Sequence, residues 1–353
     1  MMVDEISNII INDSLIYVID NFRSNSVSIF DKKGAFIRKL NKIGNAPDEY
    51  TSINDVRIDK GTGNIELLAN SSQKLIKYDI NGEFIEYKNL STPGLFSFHQ
   101  LGNHYYFYKG LQVDEEDIKD GRGFRLTRAN VETPDKIEQR YLPFYFDDIH
   151  TPTSTVNFVN IRDIPNTNDT LVLFDQITDE VLSITQDGIQ SRYLLEFEGE
   201  QGKKSIIFND PSISNKSEVI KSDRLTYLLD WLENDQYIII EYSYFSIKHK
   251  QRFVSKALFN KNTKQISIFQ DYSKFMVMLD GIFWDLGKYS MYITNSGKYV
   301  CVLHPVDLIS KIAAEKQNNS SDGTFNELVK KYKLENITES DNPILMIFNF
   351  SKN

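Results

Sequence analysis

The first forty residues alternate short apolar runs with polar turns. Ile6 to Ile11 and Leu15 to Ile19 flank Asn12-Asp13-Ser14, and two such runs joined by a tight polar turn predict a hairpin. Ser26 to Phe30 alternates before Asp31-Lys32-Lys33-Gly34, and Ala35 to Leu40 resumes the extended pattern, which predicts a second hairpin. Four short antiparallel strands make one blade-sized unit.

That unit repeats. Asp31 and Asp79, Gly34 and Gly82, Phe36 and Phe84, and Ile37 and Ile85 all stand one fixed period apart, 48 residues. FDKKGAFI against YDINGEFI keeps an aromatic, a turn Asp, a turn Gly and a Phe-Ile pair. These residues are expected to fix a hairpin's register and to fill its core face. SITQDGIQ at Ser183 to Gln190 is a third copy, about two periods further on, so another blade is expected between. Leu95 to Leu101, His104 to Tyr108, Phe124 to Ala129 and Ile137 to Leu142 supply its strands, with the acidic insertion Gly110 to Gly123 inside it.

Blade four reads as Phe158 to Arg162, Thr170 to Phe174, Val181 to Thr185 and Gln190 to Phe197. After the polar segment Gly199 to Asp223, whose length marks it as functional or mobile, blade five takes Thr226 to Leu232, Tyr237 to Tyr244, Arg252 to Phe259 and Gln265 to Phe269. There Asn260-Lys261-Asn262-Thr263 stands in for the Asp-x-x-Gly turn. Blade six begins near Ile282 to Asp285 and continues through Tyr299 to Leu303. Only then does the period become helical, over Val306 to Lys316 and Phe325 to Tyr332. Ile344 to Phe350 is a strand again, with Pro343 where a missing N–H is tolerable. The helices, about 306–333, read as an insertion in the last blade, closed by the strand at 344–350, and the whole of 1–353 reads as one domain.

Composition supports a large strand-rich core: 41% of the 353 residues are hydrophobic and 12% aromatic. A net charge of −9 argues against a nucleic-acid surface, which needs clustered basic charge. Cys301 is alone, so no internal disulfide forms, and it reads as a small buried residue. The start lacks a basic region followed by an apolar one, and no window approaches about 18 uninterrupted apolar residues, so no transmembrane segment is expected.

Repeated four-stranded units cannot bury both faces alone, and a radial arrangement buries each against its neighbours. Six fits the count, giving an all-β, six-bladed β-propeller. Through DNFRSNSVSIFDKKGAFIRKLNKIGNAPDEY, ANSSQKLIKYDINGEFIEY and DNPILMIF, the chain resembles the six-bladed propellers of gut Bacteroidota, distant relatives of NHL-repeat propellers that are often lipoproteins. Those proteins read G-x-G-P-G-E-Y where Gly44 to Tyr50 stands, with Ala46 and Asp48 replacing glycines. They also carry a further N-terminal strand that completes the last blade. Either the last blade here has three strands, or the natural start lies upstream, together with a lipoprotein signal; the second reading is preferred. The resemblance implies a place in the cell envelope, in the periplasm or on the outer membrane.

The five histidines, His99, His104, His150, His249 and His304, show no metal-binding spacing, and one cysteine permits no C-x-x-C. No cofactor is expected; lactonase-like relatives bind calcium in their channel, so calcium is the one metal the resemblance leaves open. Glu115-Glu116 and Asp147-Asp148 read as solvated carboxylate pairs, and Trp231 and Trp284 as inter-blade core.

In a propeller, the connections from second to third strand and from each blade to the next emerge at one end. Asp20 to Asn25, Gly44 to Tyr50, Gly110 to Gly123 and Gly199 to Asp223 are therefore expected together there. Arg23, Asn25, Glu49 and Tyr50 are the candidate ligand-binding residues: a guanidinium, an amide, a carboxylate and an aromatic suited to a polar ligand such as a sugar or a peptide terminus. The structural alternative is that Glu49 and Arg23 pair to tie blades one and two while Tyr50 packs. The leading expectation is a non-catalytic binding or scaffold propeller with a carbohydrate, peptide or protein partner. The alternative is a metal-dependent hydrolase or lyase resembling lactonase-type or streptogramin-lyase-type propellers. No catalytic residue is assigned.

Overall fold

Each sheet pairs its strands in chain order. The computed structural model describes residues 6–12, 14–110, 112–145, 161–165, 169–175, 180–195, 226–246, 251–269, 276–279, 282–285, 289–317, 327 and 329–350. Asn8–Ile11, Leu15–Asp20, Ser26–Asp31 and Phe36–Leu40 (β1 to β4) form the first antiparallel sheet. Asp55–Ile58, Ile65–Ala69, Lys74–Tyr78 and Phe84–Asn89 (β5 to β8) form the second. The third is Ser97–Leu101, His104–Tyr108, Arg122–Asn130 and Ile137–Tyr145 (β9 to β12), and the fourth Ile161–Asp163, Leu171–Asp175, Glu180–Thr185 and Gly188–Leu194 (β13 to β16). Thr226–Glu233, Tyr237–Ser246, Gln251–Asn260 and Gln265–Phe269 (β17 to β20) form the fifth. A hairpin, Met276–Leu279 with Ile282–Asp285 (β21, β22), precedes the sixth sheet, whose three described strands are Met291–Ile293, Tyr299–Leu303 and Ile344–Phe348 (β23 to β25). The chain is a six-bladed β-propeller.

Two expectations need correction here. Ile282–Asp285 does not open blade six: two residues separate it from Met276–Leu279, with which it pairs locally, and Met291–Ile293 becomes the partner of Tyr299–Leu303. The repeated Phe-Ile pairs do not fill the core either. Phe36, Ile37, Phe84 and Ile85 lie on the outermost strands, 38–45% exposed. Each Phe instead sets its ring edge against the aromatic across the turn, Phe36 on Phe30 and Phe84 on Tyr78.

The Asp-x-x-Gly turn behaves as its residues dictate. Asp31 Oδ1 accepts N–H bonds from Lys33 and Ala35, and Asp79 Oδ1 accepts them from Asn81 and Glu83. Gly34 and Gly82 take φ of 82° and 76°, the left-handed region that glycine enters without a Cβ clash. The same register shift follows in both blades, at Ile29/Phe30 and Lys77/Tyr78. In blade five Asn260 Oδ1 accepts from Asn262 and Thr263, and Lys264 supplies the positive φ.

The core lies between blades. Tyr17, Ile19, Val27 and Ile29 of blade one pack on Val56, Leu67, Ile76 and Tyr78 of blade two. The ring closes where Ile9, Ile11, Ile16, Val18 and Phe30 meet Tyr292, Val300 and Val302 of blade six. Cys301 is buried in the next cluster, which pushes its thiol up to about 12. A short helix, Glu115–Asp120 (α1), joins β10 to β11, and a longer one, Pro305–Gln317 (α2), lies between β24 and β25. Leu308 and Ile312 of α2 pack into the blade-five and blade-six core beside Val329 and Leu334. No helix among the described residues is long and apolar enough to cross a membrane.

Buried charges stitch neighbouring blades. Glu233, at the end of β17, accepts from Arg192 (2.7 Å), Lys261 (2.6 Å), the Trp231 indole (3.2 Å) and the Tyr193 hydroxyl (3.3 Å). Burial alone would raise its carboxyl, but the bonds from Arg192 and Lys261 hold it below the usual range. Glu233→Ala takes the carboxylate from Arg192, the Trp231 indole N–H and the Tyr193 hydroxyl, and leaves Lys261 with the Asn234 carbonyl (2.8 Å). Urea denaturation of this variant is expected to show a loss of about 3 kcal/mol.

Candidate functional site

Blade one's connection from β2 to β3 is organised by one carboxylate. Asp20, buried, accepts N–H bonds from Phe22 (3.1 Å), Arg23 (2.9 Å) and Ser24 (3.0 Å) and the Ser24 hydroxyl (2.8 Å). Burial opposes its ionisation, but the bonds from Arg23, Ser24 and Phe22 win and hold it below the ordinary range. The loop tip is thereby fixed with Phe22 66% exposed and Arg23 exposed beside it.

The other candidate residues turn inward. Asn25, at φ 45°, accepts the Ile53 N–H on Oδ1 (3.0 Å) and so ties blade one to blade two. Tyr50 is fully buried; its hydroxyl donates to the Asn25 carbonyl (3.1 Å) and accepts from Lys42 N–H (3.2 Å), and burial pushes it up to about 12. Glu49 folds back on its own loop, where Oε2 accepts Ala46 N–H (2.9 Å). A Cβ at residue 44 would stand 2.0 Å from that carboxylate oxygen, so any larger residue there would displace the Glu49 carboxylate from Ala46 N–H. Tyr78 and Lys74 of blade two then bind the Asp48 and Ala46 carbonyls. Structure therefore places Asn25, Glu49 and Tyr50 in the joint between blades and Arg23 at its surface.

The acidic insertion is also built rather than loose. Asp114 caps α1 in a reciprocal capping box with Asp117, a helix start the sequence reading missed although Asp114-x-x-Asp117 signals it. Lys109, fully buried, binds Asp114 (2.7 Å) and Asp117, while Arg140 binds Asp117 (2.8 Å), Asp114 (3.2 Å) and Glu116. Val113 and Ile118 are left on its surface, Ile118 65% exposed. Residues 199–223, expected at the same end, lie outside the described residues, as do Asp147, Asp148, His150, His249 and the Trp284 side chain.

A second polar constellation, unassigned by sequence, lines the channel. The first strand of each blade has an edge without a strand neighbour, and its N–H groups there need acceptors. Asn8 accepts Ile9 N–H (2.8 Å), Asp55 accepts Val56 (2.9 Å), His99 Nδ1 accepts Gln100 (2.9 Å) and Asp230 accepts Trp231 (2.8 Å). Asp55 also takes Phe98 N–H across to blade three (3.0 Å), and Arg162 pairs with Asp230 (2.8 Å). Two adjoining cavities, of about 120 and 160 Å³, open beside this ring. Burial pushes the Asp55 carboxyl up to about 6, against its two N–H bonds and nearby His99 and Arg162. His104 pairs with Glu138 (3.1 Å), and His304 is exposed. Among the described residues no three His, Cys, Asp or Glu side chains stand close enough together to hold a metal ion.

A family model described as domain of unknown function (DUF4934) matches residues 1–349. No curated protein matches the chain. The fold is similar to that of a protein of Bacteroides fragilis described as exported, with TM-score 0.74 at 16% identity, covering 100% of this chain and 92% of that one. It is also similar to a DUF4221 family member from Bacteroides vulgatus, with TM-score 0.54 at 11% identity, covering 83% and 85%.

The Asp55 carboxyl is expected to titrate near pH 6 by carbon NMR. Because folding raises this acid above its unfolded value of about 3.8, its contribution to stability is complete below about pH 4 and is lost as pH rises to about 6. The stability gap between Asp55→Asn and the wild-type chain should shift in the variant's favour across that window and stay constant above it.

Proposed function

The chain belongs to the DUF4934 family, and we propose that it is a non-catalytic binding or scaffold propeller of the bacterial cell envelope. Its partner, a carbohydrate, peptide or protein, is held at the end of the ring where the β2–β3 type connections emerge. The supporting observation is a set of exposed apolar side chains on the connections that emerge at this end, with Phe22 on the loop fixed by Asp20 and Ile118 on the helix capped by Asp114. Phe22 and Ile43 lie over blades one and two, Val113 and Ile118 over blade three, and Val306 and Tyr332 over blade six. Blades six, one, two and three are consecutive around the ring.

An exposed aromatic on a loop that four hydrogen bonds already fix binds without first paying for ordering, the condition for a contact hot spot. Arg23 beside Phe22 adds a planar donor for carboxylate or hydroxyl groups. Asn25, Glu49 and Tyr50 serve this surface from beneath, setting the angle between blades one and two. The envelope assignment draws on the exported description of the Bacteroides fragilis relative. A Bacteroidota origin, an NHL-like ancestry and a single domain over 1–353 belong to the same proposal, resting on the repeated motif.

Phe22→Ala and Ile118→Ala change exposed side chains and should leave the melting temperature unchanged. Retention of the purified chain on immobilised cell-envelope protein and polysaccharide fractions is expected to fall at least tenfold in the double variant. Equal retention of the variant on every fraction that holds the wild-type chain overturns the proposal.

A further inference from the structure

The base of α1 holds an amine and a carboxyl group out of reach of water. The side chains of Lys109 and Asp117 have no exposed surface, and Lys109 Nζ contacts Asp117 Oδ2 directly. Burying both ions of a pair is costly, because each loses its hydration and their attraction returns only part of it. A second buried lysine, Lys256, differs in this respect. It reaches Glu241 (3.0 Å), whose side chain is 22% exposed and so keeps contact with water.

The groups around the pair are held in place. Asp114 Oδ2 stands 2.7 Å from Lys109 Nζ, and its Oδ1 accepts the N–H groups of Glu116 (3.1 Å) and Asp117 (2.9 Å), so a second carboxylate is fixed beside the amine. Asp114 N–H in turn donates to Asp117 Oδ2 (3.1 Å). Arg140 Nη1 donates to the other oxygen of Asp117, Oδ1 (2.8 Å). Lys109 is anchored at the end of β10 by its N–H bond to the Arg125 carbonyl (2.9 Å). An amine, a carboxyl carbon, a base for the amine's proton and a cation for the oxygen that gains charge are thus in contact before any reaction begins.

We propose that Lys109 and Asp117 condense to an amide, an intramolecular isopeptide bond that locks α1 to blade three. Proton transfer from the Lys109 ammonium to Asp117 Oδ2 replaces two buried charges by a neutral amine and a neutral acid, the forms that exclusion from water favours. The Nζ lone pair then attacks Cγ, and the carbonyl electrons move onto Oδ1, where Arg140 stabilises them. Asp114 takes a proton from Nζ and passes it to Oδ2. The Cγ–Oδ2 bond breaks, Oδ2 leaves as water with the bonding pair, and the carbonyl re-forms at Oδ1. Nothing is oxidised or reduced, one water is released, and Asp114 ends as the carboxylate it began. The bond does not depend on the partner surface, although α1 carries Ile118 of that surface.

Tryptic mapping of the full chain, folded during purification and then denatured for digestion, tests this by mass spectrometry. An unbonded chain is cut after Lys109. The bonded chain is expected to resist cutting there and to yield one peptide from Asn89 to Lys119, lighter by one water, whose fragments join Lys109 to Asp117. Asp114→Asn keeps the size of the side chain and removes the base, and should restore both the full mass and cutting after Lys109. Full mass with complete cutting after Lys109 in the wild-type chain overturns the proposal. So does a water lost elsewhere, as by imide formation at Asp187-Gly188, with Lys109 still cut.

Discussion

A propeller's inner strands cannot all be satisfied by other strands, and that constraint sets the chemistry of this channel. Each blade's first strand gives one edge to its second strand and turns the other toward the axis. Asn8, Asp55, His99 and Asp230 answer it in the same way, each taking the N–H of the next residue on a side-chain acceptor. In blade four Arg162 instead pairs with Asp230 of blade five. Groups that on composition alone resemble catalytic carboxylates and a catalytic histidine are thus first of all edge caps. Blade faces carry the complementary solution: apolar clusters between neighbours, and at several junctions a buried ion with its partners, as at Glu66 and Glu233.

Most of the fold was legible because its signal is local. Runs of alternating residues, a carboxylate two and four residues before its N–H partners and a glycine at positive φ are all set within eight residues, so the strands of blade one were located to within about two residues and the 48-residue period placed the matching turn of blade two at Asp79 and Gly82. Blade six was harder, since its first strand has three residues and a hairpin of similar composition precedes it. The Phe-Ile pair misled for another reason. Hydrophobic identity repeated at the same place in two blades implies a shared role, and here that role is an edge-on ring contact at a rim, half in solvent.

The sites were less legible, because what decides them is long-range. Nothing in the sequence around Tyr50 says that its hydroxyl will reach the Asn25 carbonyl, or that Glu49 will fold onto Gly44. Phe22 passed unremarked beside Arg23, since only Asp20's four acceptor bonds turn an aromatic in a polar loop into a fixed, exposed one. Lys109 and Asp117 belong to an insertion whose composition alone reads as a solvated acidic loop. Only when Arg140 arrives on β12 do their buried charges meet a third partner.

Closure of that ring has a kinetic side. The contacts that join blade six to blade one bring residues 9–30 against residues 292–302, almost the full length of the chain. The last strand, β25, reaches β24 only after the excursion through α2. Contacts between blades one and two span tens of residues; those that seal the circle span nearly three hundred and carry the largest loop-closure entropy in the molecule. Blades with the clearest repeat can therefore assemble early, while the seam between Ile9 and Tyr292 forms late. Until it forms, the inner edges stand open, and the asparagine and aspartate caps that later line the channel are the groups that keep those edges from pairing with another chain.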